Sequence, residues 1–86
     1  MEKLVAFLNN DEKDEITEYY EKITAYRNLL TIIQDKELKQ KVTNDLAKAL
    51  QLYDQWWDKM LVRYGWKDKN NLILKFIDGS VWERET

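Results

Sequence analysis

Acidic side chains are concentrated between Asp11 and Glu21, and they are the first residues of this chain that have the chemistry of a reactive or metal-binding site. Pairs such as Asp11 and Glu15, or Asp14 and Glu18, are spaced to share one face of a helix, where two carboxylates can hold a hard cation weakly. Histidine is absent and no second acidic helix converges on them. We therefore interpret these carboxylates as solvated charge at the positive end of a helix dipole, and we expect no metal site.

The residue types used most often in catalysis are missing, because the chain has no cysteine and no histidine. It therefore lacks a thiol nucleophile, a disulfide and the commonest general base. Ser80 has no imidazole to activate it, and no glycine-rich phosphate loop is present. We expect a non-catalytic binding protein that uses no cofactor.

The adjacent tryptophans of the segment DQWWDKM, residues 54–60, indicate binding instead. On a helix Trp56 and Trp57 point about 100° apart, so they cannot both lie at the centre of one buried face. Trp57 falls within the apolar stripe, whereas Trp56 lies at its border, where either another element covers it or a partner contacts it. Because exposed tryptophans are typical of interface hot spots, we predict that Trp56 and Trp82 form an exposed aromatic site and that Trp57 is structural.

Hydrophobic spacing predicts the elements that position these side chains. The short apolar run at residues 3–8 indicates a strand, and apolar residues three and four apart indicate helices over residues 11–34 and 37–64. We expect Asn10 or Asp11 to cap the first helix and a left-handed Gly65 to end the second. The short link between the helices predicts an antiparallel hairpin.

The C-terminal segment LILKFIDGSVWE predicts a β-hairpin over residues 72–83 with a tight turn at Asp78 and Gly79. Its outer face and open edge are suited to an extended peptide; alternatively, Trp82 folds over Lys75 as a cation–π pair. In this register the two faces carry Leu74, Phe76 and Val81 on the helix side and Ile73, Ile77 and Trp82 on the other. The partner-binding residues that we predict are Trp56, Trp82, Ile73 and Ile77.

These elements give one domain over residues 1–86 with an α+β, mostly α fold in the order β-α-α-β-β. The antiparallel helices return the chain to the end where it started, so the first strand can join the hairpin in a small antiparallel sheet. Leu29 and Ile32 point away from the main apolar stripe and are a patch suited to a homodimer. Arg27 projects within the stripe, where it either pairs with an acid such as Asp54 or holds an anion.

Charge and hydropathy limit the partners and the location. Fourteen basic and sixteen acidic residues give a net charge of -2 without a concentrated basic face, so we expect no nucleic-acid partner. The longest early apolar run, residues 4–8, is too short for a signal peptide or a membrane span. We expect a soluble, cytoplasmic protein with a protein or peptide partner.

The segments KLVAF, NDEKDEITEYYEKI, DQWWDKM, RYGW and LILKFIDGSVW, in this order, resemble a family of small bacterial proteins, the CXXX repeat peptide modification system proteins. The resemblance implies a cytoplasmic accessory that contacts a cysteine-repeat precursor peptide or its radical SAM maturase, and it implies no catalytic residues. Two other classes remain open. One is a structural homodimer formed through Leu29, Ile32 and Trp56, and the other is a small phage-type inhibitor of a larger enzyme.

Overall fold

The computed structural model describes residues 2–84, which form three strands, two long helices and one short 3-10 helix at Lys69–Asn71. The α+β, mostly α fold and the order β-α-α-β-β are confirmed. The main elements are β1 Glu2–Phe7, α1 Asn10–Ile32, α2 Lys36–Tyr64, β2 Leu72–Lys75 and β3 Ser80–Arg84.

Each helix begins at a side-chain cap. Asn9 caps α1 in a capping box, in which its side chain accepts from the Glu12 N–H at 2.8 Å and the Glu12 carboxylate accepts from the Asn9 N–H at 3.0 Å. The prediction of Asn10 or Asp11 as the cap is wrong, because only Asn9 stands three residues before Glu12. Asp35 caps α2, which begins at Lys36.

Helix α2 ends as its sequence predicts. Gly65 lies in the left-handed region with φ of 71°, and the Trp66 N–H donates to the Leu61 carbonyl at 3.0 Å. This bond closes the helix in the manner of a Schellman motif, which favours glycine because it has no Cβ. The Trp66 ring then stacks on Tyr64 with centroids 4.7 Å apart.

The three strands form an antiparallel sheet in the order β1-β3-β2, so β3 is central and both other strands have a free edge. Lys75 pairs with Ser80, which makes the loop between β2 and β3 four residues long. The predicted two-residue turn at Asp78 and Gly79 is therefore wrong. The Asp78 carboxylate accepts from the Ser80 N–H, and the Gly79 N–H donates to the Lys75 carbonyl, so these bonds close the wider loop.

This loop changes the surroundings of two residues that were expected in the strand. The Phe76 ring packs on Tyr20 of α1, with centroids 4.8 Å apart. Ile77 lies at the loop and is 91% exposed. Gly79 has φ of 72°, a left-handed conformation that favours glycine, and a Cβ added there would lie 3.3 Å from the flexible Lys13 side chain.

Both central tryptophans are buried, Trp56 at 1% exposure and Trp57 at 8%. Their rings are perpendicular with centroids 5.0 Å apart. The prediction that Trp57 is structural is confirmed, and the prediction that Trp56 is exposed is wrong. Helix α2 packs on α1 and beneath the sheet at once, so it has two buried faces; Trp56 borders clefts with Glu15 and Tyr19 of α1.

The sheet covers only one end of the helical hairpin. None of residues 20–52, all of which the structure describes, belongs to the main hydrophobic cluster of the core. We call residues 21–52 the distal hairpin. Its buried side chains are Ile23, Val42 and Ala49, whereas Leu29 is 40% exposed and Ile32 72% exposed. The molecule is accordingly elongated, with dimensions of 45 × 25 × 22 Å.

A buried carboxylate joins the start of α1 to the end of α2. Besides the Asn9 N–H, the Glu12 carboxylate accepts from Arg63 and from the Tyr64 hydroxyl, each at 2.5 Å. Burial raises the pKa of Glu12, but these hydrogen bonds outweigh it and hold the pKa below its ordinary value. The same bond to Glu12 raises the pKa of Tyr64, because it stabilises the neutral hydroxyl beside a negative charge.

We expect Trp56→Ala and Trp57→Ala each to lower the free energy of unfolding by about 3–5 kcal/mol, because each removes a buried ring. Urea denaturation with a shared m value measures this loss. Val62→Ala, at an exposed position of the same helix, is the control. The indole N–H of Trp56 is buried and has no hydrogen-bond partner among the described residues, so Trp56→Phe should cost clearly less than Trp56→Ala. A loss below about 1 kcal/mol for Trp56→Ala would contradict its place in the core.

We expect Glu12→Gln to lower the free energy of unfolding by about 1–3 kcal/mol at pH 7, because a charged acceptor of two side-chain donors is lost. The folded-state pKa of Glu12 is lowered, so its contribution is complete above the pKa of the unfolded chain, about 4.3. It disappears as the pH falls through the lower folded-state value. Urea titrations from pH 7 to pH 2 should therefore show the variant and the wild type converging. Glu18→Gln, which alters an exposed pair with Lys22, should leave the wild-type curve almost unchanged.

Candidate functional site

Strand β2 crosses both helices of the hairpin. Just before β2, the Lys69 ammonium donates to Asp54 at 2.7 Å and to Asp58 at 2.8 Å, both on α2. Just after β2, Phe76 packs on Tyr20 of α1. The strand therefore begins over α2 and ends over α1.

The sheet advances along the hairpin from β1 to β2. Gly79, just before β3, lies against Lys13, whereas Phe76, just after β2, lies against Tyr20. These two positions of α1 are separated by about 10 Å along the helix axis, at 1.5 Å per residue. Since the strand order is β1-β3-β2, the free edge of β2 faces the distal hairpin.

A groove of about 400 Å³ lies between this free edge and α2, and we call it the β2 groove. Leu72, Ile73 and Leu74 all border it. Successive strand side chains point to opposite faces, so three consecutive residues border one cavity only where the backbone edge itself is open to it. The other lining residues are Tyr53, Asp54, Trp57, Lys69, Asn70 and Phe76. The groove thus combines aromatic walls with an unpaired strand edge.

The end of the groove over α2 is lined by Asp54 and Lys69, and Asp58 pairs with Lys69 beside it. The hydrogen bonds from Lys69 to Asp54 and Asp58 raise the pKa of its ammonium, because both carboxylates stabilise the charged form. One ammonium thus faces two carboxylates, and it is not free to hold another anion. This triad defines the polar end of the groove.

Trp82 is held on the outer face of the sheet. Its indole N–H donates to the Ser80 hydroxyl at 2.9 Å, and the Lys75 ammonium lies 4.5 Å from its ring centroid. The predicted cation–π pair is confirmed, although Ile73 rather than Lys75 is the direct cross-strand neighbour. The Ser80 hydroxyl in turn donates to Asp78, and that bond is the main cause of a lowered pKa at Asp78.

The structure does not gather the four predicted binding residues into one site. Ile73 borders the β2 groove and pairs with Trp82, and both side chains are half-buried. Ile77 is exposed on the loop, and Trp56 is buried against α1, so neither joins them. The predicted dimer residues Leu29 and Ile32 are exposed near the end of α1.

The predicted pair between Arg27 and Asp54 does not form: the neighbour of Arg27, Tyr26, lies beside Asp45 and Lys48, about two turns from Asp54, and Asp54 accepts from Lys69. Arg27 is exposed, and within residues 2–84 it forms no ion pair. The acidic turn likewise forms no metal cluster in this range; Glu15 pairs with Lys59 at 3.4 Å. No helix of the described chain combines the length and apolar character needed to cross a bilayer.

Of the nine residues that line the groove, only Ile73 was predicted to bind a partner; those that the sequence did not indicate include Tyr53, Phe76 and Lys69. Phe76 was assigned to a strand because the Asp-Gly pair indicated a tighter turn than the one that forms. The approach of Lys69 to α2 depends on how the chain reverses after Gly65, which no local pattern encodes. Tyr53 lies in the predicted helix over residues 37–64, but the periodicity of a helix does not show which of its apolar positions the sheet leaves open.

The chain was compared with known proteins at three levels. No protein-family model, no curated protein and no solved structure matches it.

Proposed function

We propose that this protein is a non-catalytic binding module that holds an extended segment of a partner protein or peptide along the free edge of β2. The observation that carries the proposal is the aromatic-walled groove beside an unpaired strand edge. A strand added there lies about 4.8 Å from β2 and gains main-chain hydrogen bonds. Its alternate side chains enter the groove beside Tyr53, Trp57 and Phe76.

The edge of β2 fits this role better than the edge of β1. The pairing of β1 with β3 shifts register between Leu4 and Ala6, whereas the four pairs of β2 with β3 are regular. Bulged edges are a device by which proteins avoid further strand pairing. The regular edge with a cavity beside it is therefore the better acceptor.

The resemblance to the CXXX repeat peptide modification system proteins suggests which partner to try first. It implies a precursor peptide or its maturase in a bacterial cytoplasm. A precursor peptide is an extended chain, the form of ligand that an open strand edge accepts. We therefore include this partner in the proposal.

The test uses random ten-residue peptides displayed on phage, selected on wild-type protein and counter-selected on Tyr53→Glu. Tyr53→Glu places a charge in the groove, whereas the control, Leu52→Glu, alters the adjacent residue, which borders a different cleft. We expect synthetic copies of the enriched peptides to bind wild type and Leu52→Glu alike and to lose about tenfold or more in affinity for Tyr53→Glu. Circular dichroism establishes that both variants fold.

Amide shifts of ¹⁵N-labelled protein locate the bound peptide. We expect them to concentrate at residues 72–75 and at the indole N–H of Trp57. Enrichment of no peptide over the counter-selection, or shifts confined to another surface, would overturn the proposal.

A homodimer is a second candidate, favoured by the exposure of Ile32 and Leu29 on the distal hairpin. If these side chains meet a second copy, light scattering should give twice the chain mass. Ile32→Glu should then restore the monomer, whereas Val62→Glu, also at an exposed apolar position, should not. A monomer at millimolar concentration would eliminate this candidate.

A further inference from the structure

The distal hairpin forms the floor beneath any strand added to β2. A strand placed about 4.8 Å beyond β2 lies roughly three residues farther along each helix. Three residues beyond Tyr20 and Tyr53, which flank β2, are Ile23 on α1 and Leu50 on α2. Ile23 is buried and Leu50 is exposed, so these two positions of the floor are apolar.

Arg27 lies at one end of this floor. It follows Tyr20 by seven residues, which places it two turns farther along α1 and on nearly the same face. Phe76 packs on Tyr20, and Arg27 lies about 10 Å farther along the α1 axis. An added strand, spaced about 4.8 Å from β2, takes up about half of that distance. The long arginine side chain can span the rest and reach the end of the strand that lies over α1.

The two ends of the added strand therefore meet opposite charges. Over α1 lies Arg27, which has no ion-pair partner within residues 2–84. Over α2 lies the triad of Lys69, Asp54 and Asp58, with one positive and two negative groups. Such an arrangement selects the charge and the direction of a ligand.

We infer that the segment bound in the β2 groove carries an acidic side chain at its end over α1, where the Arg27 guanidinium receives the carboxylate. The inference rests on the proposed function and adds the charge and direction of the ligand to it. The planar guanidinium donates two parallel hydrogen bonds to a carboxylate, which makes arginine better suited than lysine to this contact.

A second copy of the chain does not fit as the occupant. Antiparallel pairing of two β2 strands about a two-fold axis puts the helices of both copies on the same side of the joined sheet. The distal hairpin of each copy then projects beneath the sheet of the other, where the helices of that copy already pack. An extended peptide segment, which has no helices packed on it, avoids this clash.

The test uses synthetic ten-residue peptides with an alternating Thr-Val centre and Glu, Gln or Lys at either the first or the last position. Fluorescence anisotropy at low salt measures their dissociation constants. At one of the two positions we expect Glu to bind about threefold to tenfold more tightly than Gln, with Lys weakest. At about 0.5 M salt, the difference in affinity between the Glu and Gln peptides should shrink, because screening weakens an exposed ion pair.

Charge reversal separates a direct contact from a structural effect. Arg27→Glu should reverse the order, so that the Lys peptide binds more tightly than the Glu peptide. Lys48→Glu, an equal change of charge beside a different cleft, should keep the wild-type order. The Gln peptides should bind wild type and Arg27→Glu alike.

The two proposals fail in different ways. Equal affinity for Glu, Gln and Lys peptides at both positions, with loss of binding in Tyr53→Glu, would overturn the role of Arg27 and leave the groove in place. Failure of every peptide to bind wild type would overturn the groove itself. A dimer whose β2 amides are protected without peptide would identify a second copy as the occupant and overturn the inference.

Discussion

The architecture depends on one constraint: helix α2 must bury two faces at once. One face packs on α1 and the other lies under the sheet, and the adjacent residues Trp56 and Trp57 each serve one of them. Two neighbours about 100° apart on a helix suit this division, because each ring lies near the middle of its own interface. The T-shaped contact between the rings then joins the two interfaces in one core.

The features that could be predicted from sequence are those that neighbouring residues determine. The spacing of apolar residues gives the two helices, Gly65 gives the end of α2, and the apolar runs give the strands. The burial of Trp56 could not be derived in this way, because a helical wheel has one apolar centre and contains no information about a second packed layer. The length of the β2–β3 loop could not be predicted either. Hydrogen bonds of Asp78 and Gly79 close a four-residue loop in place of the two-residue turn that an Asp-Gly pair usually forms.

The type of candidate site could be predicted from the sequence, but its position could not. An open sheet edge beside apolar side chains follows from three short strands, and Ile73 was correctly placed at a surface of the sheet. Which edge has a cavity depends on how far the sheet extends over the helices. That extent is set by contacts between distant residues, such as Phe76 with Tyr20 and Lys69 with Asp54. That Arg27 and Asp54 do not pair could not be predicted for the same reason: Tyr26, next to Arg27, shares a cleft with Asp45 and Lys48, so Arg27 lies about two turns of α2 away from Asp54.

Because the sheet is short and the helical hairpin is long, the free edge of β2 lies beside helix surface that the sheet does not cover. Three strands at about 4.8 Å spacing cover roughly 10 Å between the outer strands, whereas a helix the length of α1 extends about 34 Å. Leu50 stays exposed on the part of α2 beyond the sheet, and the unpaired edge of β2 borders the β2 groove. An added strand would satisfy both at once, since it would pair with β2 and cover Leu50. This coincidence distinguishes the β2 edge from the other exposed apolar surfaces of the molecule.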